Sequence, residues 1–295
     1  MLGLIQEIYN GYWHINKAYA ETAKPLIINL IDGKLKQEDF SKARQQMRPE
    51  FFTQVNGVYE VTPEMEEKQP FNPEKAPPDS IGLVKIYGAI TYNDQFCGPS
   101  GAETISDYLI RMSNNENINA IILQIRSEGG EVYASEKIVE TIHSIEKPVI
   151  GFVQNYAFSA ANRILVACDW CVANSDMAML GSLGTYTSIV DDEEYWKQIG
   201  IKWIDVYADK SKDKNKGYLE AIKGNTELIK AKVNSFNEAF LQGIAKDRAE
   251  KLTAAESTWG TGKTWFSREA MSLGLIDEIA SLQDVIKSLE NSFKS

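Results

Sequence analysis

The chain has 295 residues, of which 43% are hydrophobic and 24% are charged, and its formal net charge is −10. This length suits one large domain or two modest ones. The acidic balance argues against sequence-independent binding to nucleic acids or anionic membranes, since both need clustered Lys and Arg. The sequence begins without the basic and apolar regions of a signal peptide, and no apolar run reaches the roughly 18 residues of a membrane span. We therefore expect a cytoplasmic protein.

The first 80 residues divide into an extension and a linker. Residues 1–62 mix short amphipathic pieces, and residues 37–47 (QEDFSKARQQM) have a helical pattern. Five prolines follow between residues 63 and 80. Proline removes a backbone donor and disfavours helix in the preceding residue, so residues 63–80 are predicted to be a linker. The main domain then comprises residues 81–295.

Apolar strands alternate with amphipathic helices in the main domain. The predicted strands cover residues 81–90, 118–130, 148–153, 170–175 and 202–208, with a short strand closing the segment 267–279. The predicted helices cover residues 102–115, 132–147, about 158–167, 191–200 and 226–248, with another opening the segment 267–279. Near-continuous apolar strands between helices are typical of an α/β sheet that is covered on both faces.

Two segments of this domain contain candidate catalytic groups. In residues 126–135 (RSEGGEVYAS), a predicted strand runs into Gly129 and Gly130 just before a helix. Glycines allow close approach of the backbone, so this turn could donate N–H groups to an oxyanion; the alternative is a tight strand-to-helix turn. In residues 155–168 (NYAFSAANRILVAC), Ser159 begins a helix, where it is either a nucleophile or an ordinary helix cap.

Three further segments also contain candidate functional groups. The loop 209–217 contains four lysines, and one of them could serve as a general base if burial lowered its pKa, although most such runs are solvated surface. A Ser–Lys dyad would explain activity without a histidine near Ser159. Residues 177–186 (MAMLGSLGTY) place Ser182 between glycines, which suits either a backbone close to a site or a sheet bulge. The pair Cys168 and Cys171 has the spacing of a redox or zinc motif but no partner ligands, so a structural role is favoured.

Taken in this order, the segments RSEGGEVYAS, YAFSAANRI, LGSLGTY and YADKSKDK resemble the signal peptide peptidase A (protease IV) family of serine proteases. The tail GKTWFSREAMSLGLIDEI is similar to the closing segment of that family, so the resemblance covers about residues 81–282. The sequence departs from the family pattern at Ser-Ala-Ala, where Ser-Gly-Gly is usual. Alanine keeps the N–H group that an oxyanion needs, but its methyl group narrows the space beside it.

The resemblance implies a Clp protease/crotonase-like α/β fold of ββα units, preceded here by the N-terminal extension. It implies Ser159 as nucleophile and Lys212 as general base, with Lys210 as the alternative base. The N–H groups of Gly130, which follows Gly129, and of Ala160 would form the oxyanion hole. Ser182 would orient the lysine or bind the backbone of a substrate. No metal or organic cofactor is implied.

The extension without a membrane anchor resembles the phage and prophage branch of the family, the head maturation proteases. This implies a polypeptide substrate such as a scaffold or head protein, in the host cytoplasm or the procapsid interior. Residues 1–80 would dock on a portal or capsid protein or be removed by self-cleavage. The resemblance also implies a homo-oligomer that shares the dyad between subunits. The alternatives are a signal-peptide-peptidase-like soluble protease, a crotonase-like acyl-CoA enzyme, and a capsid-assembly protein with a decayed protease core.

Overall fold

The computed structural model describes residues 13–15, 48–55, 58–61, 71–95 and 99–293. Its strands are β1 (Trp13–Ile15), β2 (Glu50–Val55), β3 (Val58–Val61), β4 (Ser80–Tyr87), β5 (Ile118–Ser127), β6 (Gly129–Glu131), β7 (Val149–Phe158), β8 (Trp170–Ala173), β9 (Met179–Gly181), β10 (Thr264–Phe266) and β11 (Glu278–Ile279). Its helices are α1 (Ala102–Ser113), α2 (Val132–Ser144), α3 (Ala160–Val166), α4 (Glu193–Gln198), α5 (Lys216–Ala221), α6 (Glu227–Asp247), α7 (Glu256–Trp259), α8 (Ser267–Ser272) and α9 (Leu282–Phe293). The helix predicted at residues 37–47 lies outside the described residues.

The main sheet is built around three parallel strands. Its order is β10-β9-β7-β5-β4-β2-β3, in which β4, β5 and β7 are parallel and β2 and β3 are antiparallel additions at one edge. Strand β7 has two partners on its other side: residues 150–153 pair with β8, and residues 156–158 pair with β9. The sheet therefore divides at β7, and the end of β7 that pairs with β9 runs directly into Ser159.

Both faces of the sheet are covered. Successive side chains of a strand point to opposite faces. Along β5, Ile121, Leu123 and Ile125 belong to one apolar cluster, together with residues of α1, α2, α3 and the end of α6. Ala120 and Ile122 belong to a second cluster, which contains three residues of α9. The predicted α/β architecture is confirmed, and the predicted helices and strands from residue 81 to residue 175 are found with small shifts in their ends.

The strand predicted at residues 202–208 is wrong. This segment has no regular secondary structure, and Trp203, Ile204 and Val206 are 71%, 75% and 90% exposed. A segment rich in aromatic and β-branched residues forms a strand only where a neighbouring strand supplies hydrogen bonds and a buried face. The described part of the chain offers this segment neither.

The N-terminal region and the C-terminus also contribute to the sheet domain. Strands β2 and β3 lie in the predicted extension 1–62, yet β2 pairs with β4 of the main domain. In the predicted linker, Phe71, Pro73 and Ala76 are buried. The domain division at residues 62–63 and 80–81 stays a prediction. Helix α9, which covers the second face, was not predicted at all. Within the described ranges, no helix is long and apolar enough to cross a membrane.

One part of the domain differs from the rest. Within the described range 99–293, residues 184–239 contain no buried residue. We call residues 186–226 the arm; it contains α4 and α5, neither of which has a buried side chain. Helix α6 begins in the same exposed stretch, but its later residues Phe240, Leu241 and Ile244 are buried in the first cluster. The arm is therefore attached to the domain through a helix that is buried at one end only.

Candidate active site

Ser159 lies in the turn between β7 and α3 with a backbone conformation that L-residues rarely adopt. Its φ is 55° and its ψ is −114°, and it is 1% exposed. Such a conformation costs on the order of 1–3 kcal/mol and persists only where the surrounding structure enforces it, which is frequent at functional sites. Strand, sharp turn and helix in this order present the serine at the end of the sheet. This geometry favours a nucleophile over a simple cap, and Ser159 makes no side-chain cap hydrogen bond to α3.

The segment around Ser182 enforces the Ser159 turn. The N–H of Ser159 donates to the carbonyl of Gly181 at 2.7 Å, and its Oγ donates to the carbonyl of Gly184 at 3.3 Å. Ser182 itself has a φ of 55°, and its N–H donates to the carbonyl of Lys263 at 2.6 Å. The structure thus brings two of the predicted segments together. The hydroxyl of Ser182 has no hydrogen bond with any described residue, so its role toward a lysine stays a prediction.

The predicted oxyanion turn lies beside the Ser159 turn. Strands β5 and β7 pair side by side, and Ser127 at the end of β5 is the partner of Ala157, two residues before Ser159. The Oγ of Ser127 donates to the carbonyl of Gly88 at 2.6 Å and accepts from the N–H of Gly129 at 3.1 Å. Gly129 has a φ of 106°, which favours glycine. The strand pairing therefore places Gly129 and Gly130 next to the candidate nucleophile.

Gly130 and Ala160 are the predicted oxyanion donors. A Cβ atom on Gly130 would lie 1.9 Å from the carbonyl oxygen of Ile90, so no other residue fits there without a shift of the backbone. Ala160 is the first residue of α3, and the first N–H groups of a helix have no acceptor within the helix. Ala160 and Ala161 are completely buried in the first apolar cluster. Their methyl groups therefore pack in the core.

No hydrogen bond joins the lysines of the arm to Ser159 among the described residues, and the Oγ of Ser159 bonds to Gly184 instead. Lys212 and Lys210 are exposed. Neither makes a hydrogen bond or an ion pair with any residue that the structure describes. The dyad of Ser159 with Lys212, or with Lys210, therefore stays a prediction. A groove of about 550 Å³ lies between the arm and α6, lined by residues such as Thr187, Ile222 and Ile229. The groove does not contain Ser159.

A buried ion-pair network behind Ser159 was missed by the sequence reasoning. The guanidinium of Arg163 on α3 is 5% exposed; it bonds to Asp247 at the end of α6, and its Nε lies 3.2 Å from Oε1 of Glu136 on α2. Nε2 of His143 lies 3.2 Å from Oδ1 of the same Asp247. The helix that follows Ser159 is thereby tied to two other helices. An arginine within the apolar run NRILVAC was the available signal, because a buried charge needs a partner.

Burial changes the titration of one group in the predicted oxyanion turn and of two cysteines that lie beside Gly151, in the first half of β7. It raises the pKa of Glu128, which lies between Ser127 and Gly129, although a backbone hydrogen bond at Glu128 opposes this. It raises the pKa of the Cys168 thiol well above its usual value and that of Cys171 to about 12. Both cysteines are buried free thiols. A thiol that stays protonated is a poor nucleophile and metal ligand, which supports a structural role for the pair.

A family model and several related sequences connect this chain to peptidases. A family model described as "Peptidase family S49" matches residues 141–294. The chain is 26% identical over 216 residues to Protease 4 of Haemophilus influenzae, covering 72% of this chain and 35% of that protein. It is 25% identical over 181 residues to a putative protease of Methanocaldococcus jannaschii, covering 61% of this chain and 58% of that protein. The chain thus spans about a third of the length of the first relative and somewhat more than half of the length of the second.

Two further similarities extend over different shares of the chain. It is 22% identical over 278 residues to a putative signal peptide peptidase SppA of Enterococcus faecium, covering 91% of this chain and 77% of that protein. Among solved structures, a ClpP1 mutant from Listeria monocytogenes overlaps with a TM-score of 0.43 at 18% identity, covering 68% of this chain and 92% of that chain.

Proposed function

Because the chain belongs to peptidase family S49, we propose that it is a serine endopeptidase in which Ser159 is the nucleophile and Lys212 is the general base. The observation that carries the proposal is the conformation of Ser159, at φ 55° and ψ −114° in a strand-to-helix turn beside Gly129 and Gly130. A helix cap needs no such strain, whereas a nucleophile has to be held in position for attack.

Each proposed residue has one task in the reaction. Oγ of Ser159 attacks the carbonyl carbon of the substrate, and Nζ of neutral Lys212 takes the hydroxyl proton. The N–H groups of Gly130 and Ala160 donate to the oxyanion that forms. Lys212 then gives its proton to the leaving amine as the peptide bond breaks. A water molecule then gives a proton to the neutral Nζ of Lys212, attacks the acyl-enzyme and releases the second product, which frees Ser159.

The general base has to be neutral to accept a proton. This requirement supports an assembly of several copies in which the lysine is buried. An exposed lysine amine is protonated near pH 7, and burial in apolar surroundings is what lowers its pKa. Lys212 is exposed in the single chain, in an arm whose apolar side chains include Trp203 and Val206. We propose that arms cover neighbouring copies in a homo-oligomer and that Lys212 of one copy serves Ser159 of the next. Large exposed apolar side chains of this kind mark interaction surfaces.

The proposed substrate is a polypeptide, and the proposed setting is phage or prophage head maturation. The support for this setting is the sequence resemblance of a family domain that follows an N-terminal extension. The substrates would be scaffold or head proteins, residues 1–80 would contact a portal or capsid protein, and the reaction would take place in the host cytoplasm or the procapsid. Cleavage of scaffold and capsid proteins encoded beside the gene, analysed by mass spectrometry, tests this setting.

The peptidase itself is tested with a peptide library. We expect the wild-type protein to cleave a subset of peptides and Ser159→Ala to lose at least about a thousandfold in kcat, as removal of a catalytic nucleophile does. Ser235→Ala is the matched control, because Ser235 is an exposed serine on α6 that bonds only to its own helix. Absence of cleavage by the wild type, or equal cleavage by Ser159→Ala, would remove the assignment and favour a non-catalytic assembly protein.

A further inference from the structure

A segment of the N-terminal extension pairs with the oxyanion strand. Strand β1 lies antiparallel to β6, with Trp13 opposite Glu131, His14 opposite Gly130 and Ile15 opposite Gly129. The two strands form a small sheet of their own. More than a hundred residues separate them in the sequence, so local turn geometry does not explain the pairing. The pairing is explained by the backbone groups that β6 presents at this edge.

The opposite edge of β6 is already occupied by the main domain. The N–H of Ile90 donates to the carbonyl of Gly129 at 2.9 Å, and the N–H of Glu131 donates to the carbonyl of Ile90 at 2.9 Å. Backbone groups of successive strand residues point to alternate edges. The N–H and carbonyl of Gly130 therefore point away from Ile90 and toward β1, where His14 is the opposite residue.

The β1 edge of β6 is preformed. Ile90 approaches Gly130 so closely that a Cβ atom would lie 1.9 Å from its carbonyl oxygen, and Ser127 anchors the N–H of Gly129 from the preceding strand. In the described part of the extension, three residues complete the pairing, and a three-residue strand contributes few hydrogen bonds. The edge is a fixed part of the domain, whereas β1 is a short and replaceable occupant.

Any peptide whose carbonyl accepts a hydrogen bond from the Gly130 N–H has to lie along this same edge. We propose, on the basis of the proposed peptidase function, that residues 13–15 occupy the substrate-binding edge of β6 as an internal competitor. A polypeptide substrate then binds by replacing β1 with a strand of its own, which is the usual mode of strand addition to a free sheet edge. The extension thereby sets how readily the site opens to other chains.

The test separates backbone pairing from side-chain effects at one position. His14→Pro removes the N–H of residue 14 and disfavours the strand, while His14→Ala keeps the N–H. In a Ser159→Ala background, we expect hydrogen exchange at the Gly130 amide to become at least about threefold faster in His14→Pro than in His14→Ala. Unchanged exchange in the strand β5 residues Ile121 and Ile125 verifies that the fold is intact.

The activity measurement uses the same pair of variants with Ser159 present. We expect His14→Pro to raise kcat/KM for a library peptide at least about threefold, chiefly through a lower KM, and His14→Ala to match the wild type. Unchanged exchange at Gly130 would overturn the pairing. Faster exchange with an unchanged or lower kcat/KM would overturn the competition. If no variant cleaves any peptide, the proposed function fails and the competition with it, while the exchange result still decides whether β1 covers Gly130.

Discussion

The two halves of the proposed dyad lie in regions of opposite character. Ser159 is 1% exposed. Strand pairing and a hydrogen bond to the Gly181 carbonyl hold its strained backbone in place. Lys212 lies in an arm that includes Val206, 90% exposed, and that has no buried residue among those described. The single chain fixes the proposed nucleophile beside the proposed oxyanion turn. It leaves the proposed base exposed, so the proposal needs a further surface that buries the arm.

The largest expected effect is on catalysis, at the base. Lys212→Ala should lower kcat by about 10²–10⁴-fold, the usual contribution of a general base, while Lys210→Ala in the same loop should change it by less than about tenfold. The measurement is cleavage of a library peptide by each variant. A larger loss for Lys210→Ala would assign the base to that residue.

The same variants decide where the dyad is completed. Mixing Ser159→Ala with Lys212→Ala, each inactive alone, should restore part of the activity if one copy supplies the serine and another the lysine. No recovery after the mixed subunits have been shown to exchange would place both residues in one chain. The contrast between the two regions would then need closure of the arm within a single subunit.

An intermediate effect is expected on stability, in the fixed part of the domain. Asp277 pairs with Arg248, whose side chain is 1% exposed, and also with Lys251. Asp277→Ala leaves the Arg248 charge buried and should lower the free energy of unfolding by about 3 kcal/mol. Asp176→Ala breaks an exposed pair with Arg268 and should lower the free energy of unfolding much less than Asp277→Ala does. Urea unfolding of both variants gives the comparison, and equal losses would contradict it.

The contribution of Asp277 to the free energy of unfolding should also depend on pH. Burial raises the pKa of this carboxyl, but hydrogen bonds from Arg248, Lys251 and the N–H of Cys171 outweigh burial and hold the pKa below its ordinary value. A depressed pKa means that the native state favours the ionised form. The stabilisation is therefore complete above the unfolded pKa of about 3.9, declines as the pH falls below it and is lost below the folded pKa. Unfolding curves from pH 7 down to pH 3 should show the difference between wild type and Asp277→Ala shrinking.

The smallest effect on the folded chain is expected in the arm. Val206→Asp should change the free energy of unfolding of the monomer by less than about 0.5 kcal/mol, because the side chain packs against little. It should nevertheless shift the protein toward smaller species in sedimentation velocity. Gln283→Asp, which adds the same charge at an exposed position of α9, should leave assembly unchanged. If Val206→Asp assembles like the wild type, the arm is not the contact surface.

The sequence predicted those parts that local pattern determines. The strands from β4 to β8, the Gly129–Gly130 turn and the helix after Ser159 follow from apolar periodicity and from glycine position. The wrong strand at residues 202–208 has a strand pattern, but pattern cannot supply a hydrogen-bonding neighbour. The pairing of Trp13–Ile15 with β6 was also out of reach, because three residues carry no periodicity and their partner lies in another part of the chain.

The resemblance added a family assignment, which hydrophobic periodicity could not provide. It placed four short segments in one family, and the family is confirmed; the phage branch, the dyad and the oligomer stay predictions. The Arg163–Asp247 pair was missed because its two members lie 84 residues apart. Arg163 lies in the segment YAFSAANRI that carries the resemblance, but Asp247 lies in none of these segments.

Helix α6 connects the two regions mechanically. Its 21 residues make a stiff rod about 30 Å long, with one end in the exposed stretch and the other bonded through Asp247 to Arg163, four residues after Ser159. A tilt of the free end would be transmitted along the rod to the turn that presents the Ser159 hydroxyl. In the proposed assembly, a neighbouring copy that contacts the arm would thus shift the proposed nucleophile from a distance, without touching the substrate.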